Sequence, residues 1–185
     1  MSDFPGYEMP VGPILTPFSP EAQGSAANSV SAIGTIGAAT SSTWPTNNIA
    51  LYYPFRLTSW ATAYQLLFWV GATSSGNIDV GIYDSQYNRI VSAGTTAMSA
   101  TVNTVQEINI TDTVLSPGDY LLGGACSTTA GTVFRLLAND EIGLSGGVAY
   151  EQASAMPLPD PAVPVISTNA NPVFAVIGIQ FRSVF

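Results

Sequence analysis

The clearest periodicity in the chain follows Gly76-Asn77, where Ile78, Val80 and Ile82 alternate with Asp79, Gly81 and Tyr83. In an extended chain successive side chains point to opposite faces, so this alternation predicts a half-buried strand with the aliphatic residues inward. Asp84-Ser-Gln-Tyr-Asn88 then reads as a turn into Arg89-Ile-Val-Ser92, completing a hairpin. Upstream, Ile49–Leu57 reads as a strand that Pro54 confines to an edge or a bulge, because proline cannot donate to a ladder. Tyr64–Val70 is a nearly continuous apolar run, as expected of a central sandwich strand with Trp69 in the core; a short amphipathic helix is the alternative at this length. Thr104–Ile110 predicts a strand with Gln106, Ile108 and Ile110 inward. In Leu115-Ser-Pro-Gly-Asp-Tyr120 the Pro117-Gly118 pair marks a tight turn, and Tyr120 is spaced to close that loop with its hydroxyl on backbone groups, in the manner of a tyrosine corner. Tyr120–Cys126, Gly131–Leu137 and Val173–Phe181 read as further strands.

Seven or eight short strands joined by Gly, Pro, Asn and Asp turns, with no helix between them, predict an all-β fold. Among sandwiches, the strand number, the long crossing connectors and the lack of a Cys-Trp-Cys pattern favour a jelly-roll-like antiparallel β-sandwich over an immunoglobulin-like one. Residues 1–48 stand apart, with six Pro, five Gly, three acids and no base. Such a segment is expected to be an extended N-terminal arm. It is too apolar for a solvated tail, and Phe4, Tyr7, Val11, Ile14, Leu15, Phe18, Ile33, Ile36 and Trp44 become candidate partner-binding residues. The expected body is 49–185, with a Pro-rich connector over 151–172 carrying Pro157, Pro159, Pro161, Pro164 and Pro172. Arm and connector together are expected to make intersubunit contacts.

Charge sharpens this picture by exclusion. Only sixteen of the 185 residues are charged, twelve acids and four arginines, with neither Lys nor His, for a net charge of -8. No histidine base, imidazole metal ligand, Schiff-base lysine, P-loop lysine or Ser-His-Asp triad can be assembled. Four scattered arginines at this net charge do not neutralise a phosphate backbone, so nucleic acid is not an expected partner. No apolar run reaches the roughly 20 residues of a membrane span, and the first residues lack the pattern of a signal peptide, so a soluble chain without membrane contact is expected. Cys126, the single cysteine, reads as a small buried hydrophobe. Carboxylates remain: Asp79 with Asp84, Asp112 with Asp119, and Asp140 with Glu141 could pair as in glycosidases, but turn positions explain most of them as backbone acceptors. The expectation is no enzyme activity, no metal site and no cofactor. Aromatic stacking on a sugar is the remaining chemistry, with Tyr83 and Tyr87 as the best exposed glycan-binding candidates.

The segment Gly76-Asn-Ile-Asp-Val-Gly-Ile-Tyr-Asp84, then Arg89-Ile-Val91, then Leu115-Ser-Pro-Gly-Asp-Tyr-Leu-Leu122 resembles a pattern of tailed-bacteriophage virion structural proteins with small jelly-roll domains; the likeness covers roughly residues 60–137. The resemblance implies a capsid decoration (cement) protein or a head or tail fibre module. Joined to the apolar arm, it leads to the expectation of a decoration protein on the outer capsid surface of the virion. The major capsid protein would be its partner, and homo-oligomers, trimers foremost, would be its own state. A carbohydrate-binding host-recognition module of a fibre is the alternative.

Overall fold

The structure is a computed structural model and describes residues 40–136, 150–166, 174–175 and 177–183. Among them there is no helix. The strands are β1 (Thr40–Thr43), β2 (Ala50–Leu57), β3 (Ala61–Val70), β4 (Asn77–Asp84), β5 (Arg89–Ser92), β6 (Thr96–Ala97), β7 (Thr104–Leu115), β8 (Gly118–Cys126), β9 (Thr132–Leu136), β10 (Tyr150–Gln152), β11 (Val165–Ile166), β12 (Phe174–Ala175) and β13 (Ile177–Ser183). The first sheet runs β1-β9-β3-β13, with β7 on β3 and β12 on β9. The second runs β11-β10-β2-β8-β4-β5, with β6 on β4. The expected strands correspond to β2–β5, β7–β9 and β13, and the fold is an all-β antiparallel sandwich.

Its topology follows from nested pairings. Leu57 lies opposite Gly118, Ala61 opposite Leu115, Val70 opposite Thr104, Asn77 opposite Ala97 and Tyr83 opposite Arg89. One long hairpin from Ala50 to Cys126 is thus folded back and forth, its successive sections alternating between the two sheets. β8 also pairs with β4, which closes the second sheet. This folded ribbon is jelly-roll-like, and short turns rather than long crossing connectors join its sections. Pro54 fits because β10 covers only Ala50–Tyr52 of β2, which leaves the rest of that side of the strand without a neighbour from β10.

The interior is built as the periodicity required on β4, where Ile78, Val80 and Ile82 are fully buried against Leu122 and Cys126 of β8 and Leu66, Phe68 and Val70 of β3. On β3 a bulge between Ala63 and Gln65 shifts the phase by one residue. Ala61 and Ala63 therefore point inward before it, and Leu66, Phe68 and Val70 after it. The same shift corrects the expectation for Trp69. It alternates with Phe68 and Val70, so it lies on the outer face of the first sheet, half-buried, with its ring 4.7 Å from Phe134. On β7, Ile108 and Ile110 pack on the interior as expected. Gln106 spends its polar end locally, accepting from Ser99 N (2.7 Å) and donating to Ala97 O (2.9 Å). The turn before β8 is closed by Tyr120, whose hydroxyl donates to Ser116 O at 2.7 Å while the ring stacks on Phe55.

The start of the body differs from the expected boundary at residue 49. Strand β1 pairs with β9 from Thr40 onward, and Ser41 Oγ accepts from Ala72 N at 2.8 Å. Trp44, expected as an arm residue for partners, is a core residue: it is buried 6.3 Å from the Phe68 ring and its indole donates to Ile49 O at 2.9 Å. The Pro- and Gly-rich composition of the first 48 residues hid a short β-prone stretch, Thr40-Ser-Ser-Thr-Trp44, whose pairing partner lies some ninety residues away. The other arm candidates, Phe4, Tyr7, Val11, Ile14, Leu15, Phe18, Ile33 and Ile36, lie outside the described residues.

Candidate functional site

The outer face of the second sheet should meet water if alternation alone decided it. Instead Tyr52 of β2, Asp79 and Tyr83 of β4, and Leu121 and Ala125 of β8 are all buried there. What covers them is a strap formed by residues 150–166, which contributes Ala155, Leu158 and Ala162 to a second apolar layer, with Tyr87, Tyr150 and Met156 at its margin. Small residues make the seat. Gly81 and Gly123 are direct partners across β4 and β8. A Cβ at Gly123 would come within 3.0 Å of the Tyr52 ring and 3.1 Å of the Tyr83 ring. Above it those two rings meet edge to face at 5.3 Å. A Cβ at Gly81 would sit 3.1 Å from Leu158 Cδ1, so Leu158 is a knob seated over a glycine.

Polar groups fix the strap by its main chain. Asp79 Oδ2 accepts from Leu158 N at 3.0 Å, and the Arg89 guanidinium donates to Leu158 O. The Tyr83 hydroxyl donates to Pro159 O (2.8 Å), and Arg89 N donates to Asp160 Oδ1 (3.0 Å). Gln152 Oε1 accepts from both Val163 N (2.8 Å) and the Tyr52 hydroxyl (3.3 Å). Asn48 O and Tyr87 O accept from Ala155 N and Ala162 N at 2.7 and 2.9 Å. Leu158 is thus held between an acid on its N–H side and a base on its C=O side.

This electrostatic setting favours neutral forms. Burial raises the Asp79 carboxyl above its ordinary range, opposed by the Leu158 amide and by Arg89. Its Oδ1 is buried without a hydrogen-bond partner among the described residues. Burial pushes the Tyr52 phenol up to about 12 and the Tyr83 phenol higher still. Burial likewise pushes the Cys126 thiol far up, which makes it a packing residue rather than a nucleophile.

Both expected glycan contacts are therefore strap contacts. Tyr83 is fully buried with its hydroxyl committed to Pro159, which corrects its assignment as an exposed stacking residue. Tyr87 is half-buried at φ 68°, with its ring against the strap layer and its carbonyl on Ala162 N. The acids read as turn acceptors behave so at Asp84, whose Oδ1 accepts from Gln86 N and Asn88 N and whose Oδ2 accepts from Asn88 Nδ2; the Asn88 side chain chiefly holds its pKa below the ordinary value. Asp119 takes a bidentate contact from Arg56 at 2.6 and 2.9 Å in the open. Asp140 and Glu141 lie outside the described residues. The clamp of Asp79, Arg89 and Leu158 was missed in the sequence. One signal could have found it: a glycine at the centre of the polar face of β4 marks a close approach by something.

The strap was expected to reach another subunit, and its inner side is spent on its own body. Its outward side is different. Val163, Val165 and Ile166 are 69%, 60% and 62% exposed, and β11, which holds the latter two, ends the second sheet among the described residues. From Pro161 to Phe181 the sequence contains no charged residue. The chain matches no protein-family model, no curated protein and no solved structure.

Proposed function

We propose that this chain is a non-enzymatic virion structural protein, a capsid decoration subunit that lies on the outer surface of a shell and binds the major capsid protein. The observation that carries the reading is the uncharged, apolar edge at Val163–Ile166. Sheet edges that face water are ordinarily short, charged or covered, because their free backbone groups and apolar side chains recruit other chains. This edge is short but carries no charge, as suits an assembly subunit. Two further features support it. Among the described residues, the buried Tyr52 and Tyr83 hydroxyls and Asp79 Oδ2 are hydrogen-bonded within the fold, and burial keeps the Cys126 thiol a packing group. A net charge of -8 suits the outside of a genome container, since it is repelled by packaged nucleic acid.

The arm adds main-chain and apolar contacts to a neighbouring shell subunit, by addition of an extended strand to a sheet edge. The test is occupancy of purified virions, imaged with the protein absent, restored in full, restored without residues 2–39, or restored as V165K/I166K. The truncation stops before Thr40 because β1 belongs to the body. We expect both altered proteins to fold, the truncated one to leave the capsid lattice bare and V165K/I166K to occupy it less fully than the unaltered chain; full occupancy by both overturns the proposal. A host-recognition module is the second reading, favoured by Trp60, which is 57% exposed in the β2–β3 turn and offers an aromatic face to a sugar. Loss of glycan-array binding on Trp60→Ala would support it.

A further inference from the structure

We infer that the β11 edge is a homotypic contact, at which a second copy of this chain pairs antiparallel across a twofold axis. The inference rests on the assembly reading above and names one partner within it. A twofold contact imposes a strict chemical condition: each residue near the axis faces its own counterpart, so any charge there faces a like charge. For a chain with twelve acids and a net charge of -8, few edges meet that condition.

The other edges fail it or gain nothing from it. The long strand β7, paired only to β3, exposes Glu107 and Asp112. Strand β5 carries Arg89, already engaged with the strap. Strand β1 is uncharged, and its described exposed residues are Ser41 and Thr43, hydroxyl residues that lose nothing by staying in water. Strand β6 is uncharged but exposes only the small Ala97, and β13 carries Arg182. Among the edge strands whose exposure is described, β11 alone joins an uncharged run with exposed β-branched side chains, at Val163, Val165 and Ile166. Two acids flank the run without lying in it: Glu151 is one strand inward, opposite Val165, and Asp160, three residues before Val163, accepts from Arg89 N. The outward N–H and C=O groups of β11 can pair with an antiparallel copy of the same strand, which would join two second sheets into one.

Val165 and Ile166 are neighbours in a strand and face opposite sides of the sheet, so the apolar contact on either face is small, below the roughly 1,200–2,000 Å² of a stable interface. The pair is therefore weak and concentration-dependent in solution and strengthened when copies are held side by side on a lattice.

Sedimentation velocity of the full chain across the micromolar range tests this. The weight-average sedimentation coefficient should rise from monomer towards dimer, while V165K/I166K stays monomeric with an unchanged melting temperature. A second variant guards against misfolding: Cys126 is buried, so Val165→Cys supplies the accessible thiol, and oxidation should give a disulfide dimer at least tenfold faster than Val114→Cys, at an exposed valine elsewhere. Equal cross-linking rates, a wild type that is monomeric throughout, or dimerisation of V165K/I166K overturns the inference. A monomer that still occupies virions overturns it and leaves the decoration reading standing. A dimer that leaves virions bare does the reverse.

Discussion

The sandwich interior and the strap-covered face of the second sheet are equally dry, yet they are closed by different means. The interior joins two sheets through aliphatic and aromatic side chains, with Ile78, Val80, Ile82, Leu122 and Phe68 at its centre. The strap layer is built from glycine, alanine and tyrosine with Leu121 beneath the Leu158 knob, and polar side chains hold the backbone of the segment that covers it. Apolar area supplies stability without direction, whereas hydrogen bonds to Leu158, Pro159 and Val163 select a single seat for a proline-rich segment. Two layers of similar dryness can therefore differ in what specifies them.

The largest expected effect tests the interior. Phe68→Ala should cost about 3–5 kcal/mol in urea unfolding, with the loss spread through one cooperative transition. Leu158→Ala should cost less, about 2–3 kcal/mol, because a single covering segment can settle into the space. Hydrogen exchange sharpens the contrast: in the Leu158→Ala protein the amides of Leu158 and Ala162 should exchange well before those of β4 and β8, and simultaneous exchange would mean that the strap is no separate unit. The glycine pair on β8 comes next. Gly123→Ala drives a methyl into two tyrosine rings and should cost about 1–3 kcal/mol. Gly124→Ala meets the terminal methyl of Ile177 at 3.1 Å, which can turn aside, and its melting temperature should fall less.

Asp79 gives a smaller effect with a definite sign. Its folded pKa lies above 3.8, so the folded state holds a proton that the unfolded state has released; ionisation opposes folding, and stability declines as pH rises from 3.8 through the raised value. Asp79→Asn keeps an acceptor for Leu158 N and removes the charge, so that part of the decline should vanish from melting curves taken across the interval. Asp84, with its lowered pKa, acts in the opposite sense, losing its contribution as pH falls. Arg56→Ala, at an exposed ion pair remote from both layers, should leave the melting temperature unchanged.

The two layers also differ in how far they could be read in advance. The inward faces of β4 and β7 and the tyrosine corner at Tyr120 follow from short-range pattern. Trp69 did not, because a one-residue bulge reverses every side chain beyond it and leaves no mark in an apolar run. Trp44 did not, because its strand is defined by pairing with β9. Tyr83 and Asp79 were read correctly as opposite Ile78, Val80 and Ile82, but not as buried, since the covering segment is more than seventy residues away.

By itself the sequence determined the all-β class, the phase of its best-patterned strands and the poverty of charge that excludes most chemistry, because these depend on residue type and on neighbours one or two positions apart. Tertiary structure alone decided which outward faces meet water. Folding brought the strap down over Gly81 and Tyr83 and left Val163, Val165 and Ile166 exposed, the last two at the end of a sheet among the described residues. Exposure is a property of what packs against a residue, and that depends on contacts between segments far apart along the chain.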